Sequence, residues 1–202
     1  MTVLAYLHWE AIASISASDV DGEVLPLAER NLSLLTPAGL GRRIAEIENM
    51  LAEFGKESHT TALESARLFR QQLQVYKELH SIPTQVFQAN ATDPDQIRDG
   101  LGLRQVDLVL ADVPYGWHTS WITDGEPDKP PVMQMLEALH PLLKPGSVVA
   151  IVADKAQKVR PEHYRRLERF QIGKRRVFIL QSLSVNTGNQ SKIESENPAA
   201  FT

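Results

Sequence analysis

Apolar positions in this chain fall into short runs whose spacing changes along its length. The small, mostly apolar run 11–18 stops at Asp19-Val20-Asp21-Gly22, the pattern of a buried parallel strand leading into a helix. Residues 23–34 follow as that helix, with Leu27 and Leu34 among its buried positions. Two helical stretches, 38–54 and 59–79, rich in Glu, Arg and Gln, then flank Gly55-Lys56, so that 37–80 reads as a helical insertion. A short strand, 85–88, comes after the break at Pro83, and the loop Asn90-Ala91-Thr92-Asp93-Pro94 opens a brief helix. The clearest strand is 106–111, Val-Asp-Leu-Val-Leu-Ala. A helix over 132–143 stops at Lys144-Pro145-Gly146 and gives way to the apolar strand 147–152. Pro161 at a favoured first-turn position starts a helix over 161–170, and 176–183 closes the order as a β-rich segment.

Strand and helix thus alternate, which predicts an α/β fold with one mostly parallel sheet and helices on both faces. A length of 202 residues suits one domain, here 1–183, with 184–202, rich in Asn, Ser and Gln, read as a disordered tail. The chain is 43% hydrophobic and 23% charged, which excludes disordered and fibrous classes. It has no cysteine, which removes disulfide scaffolds and thiolate metal sites, and no histidine spacing suggests a metal. With no stretch of 18 apolar residues, the chain reads as cytoplasmic and without a membrane partner; its oligomeric state is left open, with a monomer expected. The net charge of −4 hides an asymmetry: Lys155, Lys158, Arg160, Arg165, Arg166, Arg169, Lys174, Arg175 and Arg176 crowd a stretch opposed only by Asp154, Glu162 and Glu168.

In open α/β sheets ligands bind beyond the carboxyl ends of strands, and three such ends stand out. Asp19 can accept hydrogen bonds from both hydroxyls of a ribose, with Val20 packed on an adenine face; an aspartate there equally caps a helix, although Asp21 is the better cap. Asn90 can read the edge of an adenine, or be an ordinary turn asparagine. The third end is Asp112-Val113-Pro114-Tyr115-Gly116, followed by Trp117, His118 and Trp121. Proline stiffens this turn, so a carboxylate, a backbone carbonyl and an aromatic face can converge on one planar group. Methylating an exocyclic amino nitrogen needs acceptors that orient the lone pair and stacking that holds the ring, tasks suited to Asp112, the Val113 carbonyl and Tyr115. A base in a duplex is out of reach, so the substrate nucleotide is single-stranded or flipped out. The basic run could hold its phosphates, or be a solvated helix face.

These segments together resemble the AviRa family of ribosomal RNA methyltransferases, named for avilamycin resistance. The likeness spans nearly the whole chain and rests on Ser18-Asp19-Val20-Asp21, the stretch from Asn31 to Leu40, Phe54-Gly55-Lys56, Asp112-Val113-Pro114-Tyr115-Gly116, Leu167-Glu168-Arg169 and Ile172-Gly173. The resemblance implies a Rossmann-like class I fold with a helical insertion after the second strand, S-adenosylmethionine as cofactor, and a guanine of large-subunit (23S) ribosomal RNA as substrate. It implies Asp19, Val20, Asn90 and Asp112 toward the cofactor and Asp112, Val113, Pro114 and Tyr115 as the catalytic loop. Tyr115, Trp117, His118, Lys155, Lys158, Arg165, Lys174 and Arg175 would face the RNA, with Asp19 and the 112–115 turn at one rim of a single sheet. Asn90 stands where the family tends to have aspartate.

The family also opens with a strand and a glycine-rich loop, which have no counterpart before Asp19; residues 1–8 match the helix after that loop. The expectation is that the first strand is missing, through a late start site or a truncated gene, and that such a fragment is unstable alone. Two other functions fit the residues: a degenerate module that grips RNA through Arg165, Arg166, Lys174 and Arg175 without cofactor, and an amino-methyltransferase acting on DNA or a small molecule.

Overall fold

The computed structural model describes residues 1–114, 121–122 and 129–184, apart from the side chain of Lys77. Their contacts divide into two compact units, Met1–Ala91 and Thr92–Thr202.

The first unit opens with helix α1 (Thr2–Leu7), where the resemblance places a helix, and a short 3-10 turn over Trp9–Ala11. Strand β1 (Ile15–Asp19) starts later than the predicted run 11–18, whose first residue lies in that turn, and reaches one residue further. Helix α2 (Leu25–Ser33) follows, then α3 (Pro37–Phe54), α4 (Glu57–Leu79) and β2 (Thr84–Gln88), close to prediction. Sequence sets the ends of α3. The Thr36 hydroxyl accepts from the Gly39 amide at 3.1 Å, Pro37 occupies the first turn, and Gly55, at φ 60°, ends the helix in the left-handed conformation. Gly39 is fixed by close approach, since a Cβ there would lie 2.1 Å from the Ser33 carbonyl oxygen.

An aromatic cluster ties α1 to α4: Tyr6 lies 4.6 Å from Phe69 between ring centroids, and Trp9 stacks on Tyr76 at 5.2 Å. The polar tips are satisfied, with the Tyr6 hydroxyl donating to the Leu34 carbonyl at 2.8 Å and the Trp9 indole to the His80 carbonyl at 3.0 Å. This core also contains Ile15, Leu32, Leu40, Ile44, Ile47, Leu63 and Leu73. On α2 the buried residue is Leu32, whereas Leu27 is 59% exposed and Leu34 only half-buried, contrary to the periodicity reading. The helix starts at Leu25, two residues later than predicted.

The second unit contains α5 (Pro94–Leu101), β3 (Val106–Asp112), α6 (Pro131–Leu139), β4 (Leu143–Asp154), β5 (Tyr164–Ile172) and β6 (Arg175–Ser182). Asp93 caps α5, accepting from the Asp95 and Gln96 amides. Those hydrogen bonds, the Gln96 amide first, hold its carboxyl below the usual aspartate range. Strand β4 starts earlier than predicted because a shift in register between Val106 and Leu108 of its partner absorbs Pro145-Gly146. Val132, Leu136, Val149, Ile151 and Leu180 are the fully buried centre.

The α/β class and the insertion hold, but the sheet differs from expectation in three ways. Its strands form two hydrogen-bonded sheets, β1-β2 and β3-β4-β6-β5, so Asp19 and Asp112 end strands of different sheets. Among the described strands, β1 bonds only to β2 and β3 only to β4. Two ladders are parallel, β1 with β2 and β3 with β4, and two are antiparallel, β4 with β6 and β6 with β5, so the sheet is not mostly parallel. Finally, the predicted helix over 161–170 is strand β5, joined to β6 by the two-residue turn Gly173-Lys174 with Gly173 at φ 58°. Pairing with the apolar β6 overrides the local helix signals of Pro161 and the charged residues.

Candidate functional site

Parallel pairing brings the carboxyl ends of β1 and β2 together. Asp19 pairs with Gln88, and the Ala89 amide donates to the Asp19 carbonyl at 3.0 Å. Asp19, Val20 and Asn90 therefore share one rim of the first unit. The Asp19 Oδ1 accepts from the Asp21 amide at 2.9 Å, and Asp21 Oδ1 accepts from the Glu23 amide at 2.9 Å. Both aspartates thus shape the turn, whereas α2 is capped by Val24 without a side-chain bond, so neither is a helix cap. Asp19 is exposed, Val20 half-buried and Asn90 buried. Gln88 belongs to this rim as well: its amide donates to the Val20 carbonyl at 2.9 Å and pins the turn. Only the register with Asp19 reveals it. A carboxylate with one oxygen committed to the turn, an apolar neighbour and a buried amide form a donor and acceptor set that suits a nucleoside.

In the second unit β3 and β4 likewise end together, Asp112 opposite Val152. The Val113 amide extends the ladder by donating to the Val152 carbonyl at 3.0 Å, and its side chain is buried, which fixes the backbone directly after Asp112. Pro114 is held from another direction, its carbonyl accepting from Gln157 Nε2 at 3.1 Å. Gln157 is aimed there by Asp154, whose Oδ1 accepts from the Ala156 amide and whose carbonyl accepts from the Gln157 amide. No sequence signal singled out Gln157. Its Oε1 and the indole nitrogen of Trp121 are buried without a hydrogen-bond partner, the only such side-chain atoms among the described residues. Tyr115, Trp117 and His118 lie outside the described residues.

Of the basic candidates, Lys155 and Lys158 are exposed in the loop after β4, Lys174 lies in the β5–β6 turn, and Arg175 opens β6 opposite Asp154. These four stand at the same end of the sheet as Asp112. Arg165 does not: it pairs with Gln181, to whose Oε1 its guanidinium donates at 2.6 Å, and Gln181 lies opposite Val148. Six residues of β6 separate Gln181 from Arg175, about 20 Å at roughly 3.3 Å per residue. No group of three or more His, Cys, Asp or Glu residues could hold a metal among the described residues, and no described helix is long and apolar enough to cross a membrane.

Comparison with known proteins gives this geometry a context. Residues 1–175 match the family described as rRNA methyltransferase AviRa. The 23S rRNA (guanine(2535)-N(1))-methyltransferase of Streptomyces viridochromogenes is 35% identical over 185 residues, 92% of this chain and 72% of that protein. Two solved structures of rRNA methyltransferase AviRa from Streptomyces viridochromogenes superpose with TM-scores of 0.71 and 0.72 at 34% identity, over 89% of this chain and 70% of theirs. With a match over most of its length and a relative at this identity, the chain belongs to the AviRa family of rRNA methyltransferases.

Proposed function

We propose that the chain transfers a methyl group from S-adenosylmethionine to a guanine of 23S ribosomal RNA, at N1 as the name of its Streptomyces relative specifies. The observation that supports this best is the doubly held turn at the end of β3. Val113 is fixed by the ladder and Pro114 by Gln157, so Asp112 and the Val113 carbonyl are presented without a reorganisation cost. Two adjacent acceptors suit the Watson–Crick edge of guanine, where N1–H and the N2 amino group are neighbouring donors. Asp112, as a carboxylate, accepts from N1–H and takes up the proton lost when N1 is alkylated. The Val113 carbonyl accepts from the amino group, and Tyr115 stacks on the ring.

The residues of the first rim fit the nucleoside half of the cofactor. Asp19 would hold the ribose hydroxyls, Val20 one adenine face and Asn90 the adenine edge. When bound, the cofactor supplies an electrophilic methyl group on a sulfonium.

Labelled-methyl transfer onto protein-free 23S RNA tests the reading. Wild type transfers label to RNA and not to DNA of matched length, and Asp112→Asn lowers turnover by about a hundredfold or more. Asp19→Asn weakens S-adenosylmethionine binding, read by calorimetry, by about tenfold. A folded wild-type chain that binds no S-adenosylmethionine, or that labels DNA as readily as RNA, refutes the proposal.

A further inference from the structure

The pairing of β5 with β6 sorts the basic residues of this hairpin in a way that their order in the chain conceals. Strict alternation along β5 would put Arg166 and Glu168 on one face and Arg165 and Arg169 on the other. The register shift between Arg166 and Glu168, where Leu167 is the extra residue, changes this. Arg166 pairs with Leu180 and Arg169 with Phe178, both residues of the buried face, so the two arginines share that face. Glu168 pairs with Ile179 and turns to the opposite side. Arg176, opposite Gln171, belongs to the face of Phe178 and Leu180 and adds a third cation. The register partners on this face are Tyr164, Arg166, Arg169 and Gln171 of β5 and Arg176, Phe178, Leu180 and Ser182 of β6, without one acid.

Spacing then matters. Arg166 and Arg169 sit opposite residues two apart on β6, about 7 Å, and Arg169 is diagonal to Arg176 at about 7–8 Å. Three guanidinium groups at such intervals match the repeat of phosphates along an extended RNA strand. Arg166 and Arg169 are exposed on an edge strand and Arg176 is half-buried, and none has an acidic partner among the described residues. Asp112 lies level with Val152, Val177 and Phe170, one residue beyond the level of Ala111, Ile151, Phe178 and Arg169, so it belongs to the other face and the track reaches it around the end of the sheet, three strands or about 14 Å away.

We propose that Arg166, Arg169 and Arg176 form a phosphate-binding track on the β5–β6 hairpin that leads the RNA backbone toward Asp112. This rests on the rRNA methyltransferase reading and names the surface by which the substrate is gripped. The bulge at Leu167 is the device that builds it, by removing Glu168 from the line of cations. Arginines opposite Phe178 and Leu180 on an edge strand also suit a purely structural role, shielding apolar residues and discouraging edge pairing, which has to be separated from RNA binding.

The test uses the full chain and protein-free 23S RNA in filter-binding titrations over a range of salt. R166Q/R169Q keeps much of each stem and removes the charge. Its affinity falls by about tenfold, and the slope of log affinity against log salt flattens by about 1.4, two single-strand phosphate contacts at about 0.7 each. R166K/R169K keeps the wild-type slope, and R67Q/R70Q on α4, with the same charge removed, leaves it unchanged. An unaltered slope in R166Q/R169Q, an equal loss in R67Q/R70Q, or a loss in the lysine variant as large as in the glutamine one overturns the track. Methyl transfer keeps the two proposals apart. Label transfer whose KM for RNA is unmoved by R166Q/R169Q overturns the track and spares the enzyme reading. A slope change in a chain that transfers no methyl group does the reverse.

Discussion

Tyr6 offers a quantitative check on the first unit. Its side chain is 3% exposed, its hydroxyl donates to the Leu34 carbonyl at 2.8 Å, and burial pushes its pKa from 10.0 up to about 12. Replacing it with phenylalanine removes one buried hydrogen bond, so near pH 8 the variant should be about 1 kcal/mol less stable. At high pH the sign changes. A raised pKa means that the folded state holds the phenolic proton more tightly than the unfolded chain, so the associated stability is complete below pH 10.0 and is lost as pH climbs toward about 12. One pKa unit corresponds to about 1.4 kcal/mol, so wild type gives up roughly that much from this group by about pH 11. Tyr6→Phe has no such proton to lose, and the other tyrosines titrate alike in both proteins. The two stability curves should therefore cross between about pH 10 and 11. Urea unfolding followed by far-ultraviolet circular dichroism, repeated from pH 8 to 11.5, reads the difference directly. A gap that stays constant across that range would show that the Tyr6 hydroxyl is not shut away from water, and the packing described for α1 against α4 would be wrong.

Three further outcomes follow from other residues. Gly39→Ala puts a methyl group 2.1 Å from the Ser33 carbonyl and should cost about 2 kcal/mol or more in urea unfolding, despite the better helix propensity of alanine. Gln157→Ala frees the Pro114 carbonyl and should lower kcat for methyl transfer about tenfold, while the calorimetric affinity for S-adenosylmethionine stays at the wild-type value. Asp93→Ala removes the cap of α5. Because hydrogen bonds lower the Asp93 pKa, its stabilisation is present above the ordinary aspartate pKa near 4 and fades as pH falls through the lowered one, so wild type and variant should converge in acid unfolding curves.

What could be read from the sequence was local. Thr36-Pro37 and Gly55 mark both ends of α3 with residues whose chemistry serves only helix ends, and the structure places them there. The run 106–111 is apolar, short and followed by an Asp-Val-Pro turn, and it is β3. Strand β5 failed for a physical reason: its alternation is broken at Leu167, so no period of two survives across it, while Pro161 and the arginines imitate a helix start. The Gly173-Lys174 pair was the overlooked hairpin signal. Leu27 is an apolar residue of α2 that stays exposed, and apolar character alone does not tell which face of a helix is covered. Gln157 and Gln88 reach their sites only through strand register, which no local pattern encodes.

The outer side of β3 has a consequence for handling the protein. This strand has one neighbour among the described strands, and Leu108 and Leu110 are 39% and 46% exposed along it. A strand side unpaired among the described residues, beside exposed leucines and interrupted by no proline or lysine, is a template for another extended peptide. At high concentration such molecules should adhere to one another through it, and an acidic or basic replacement at Leu110 should keep them apart.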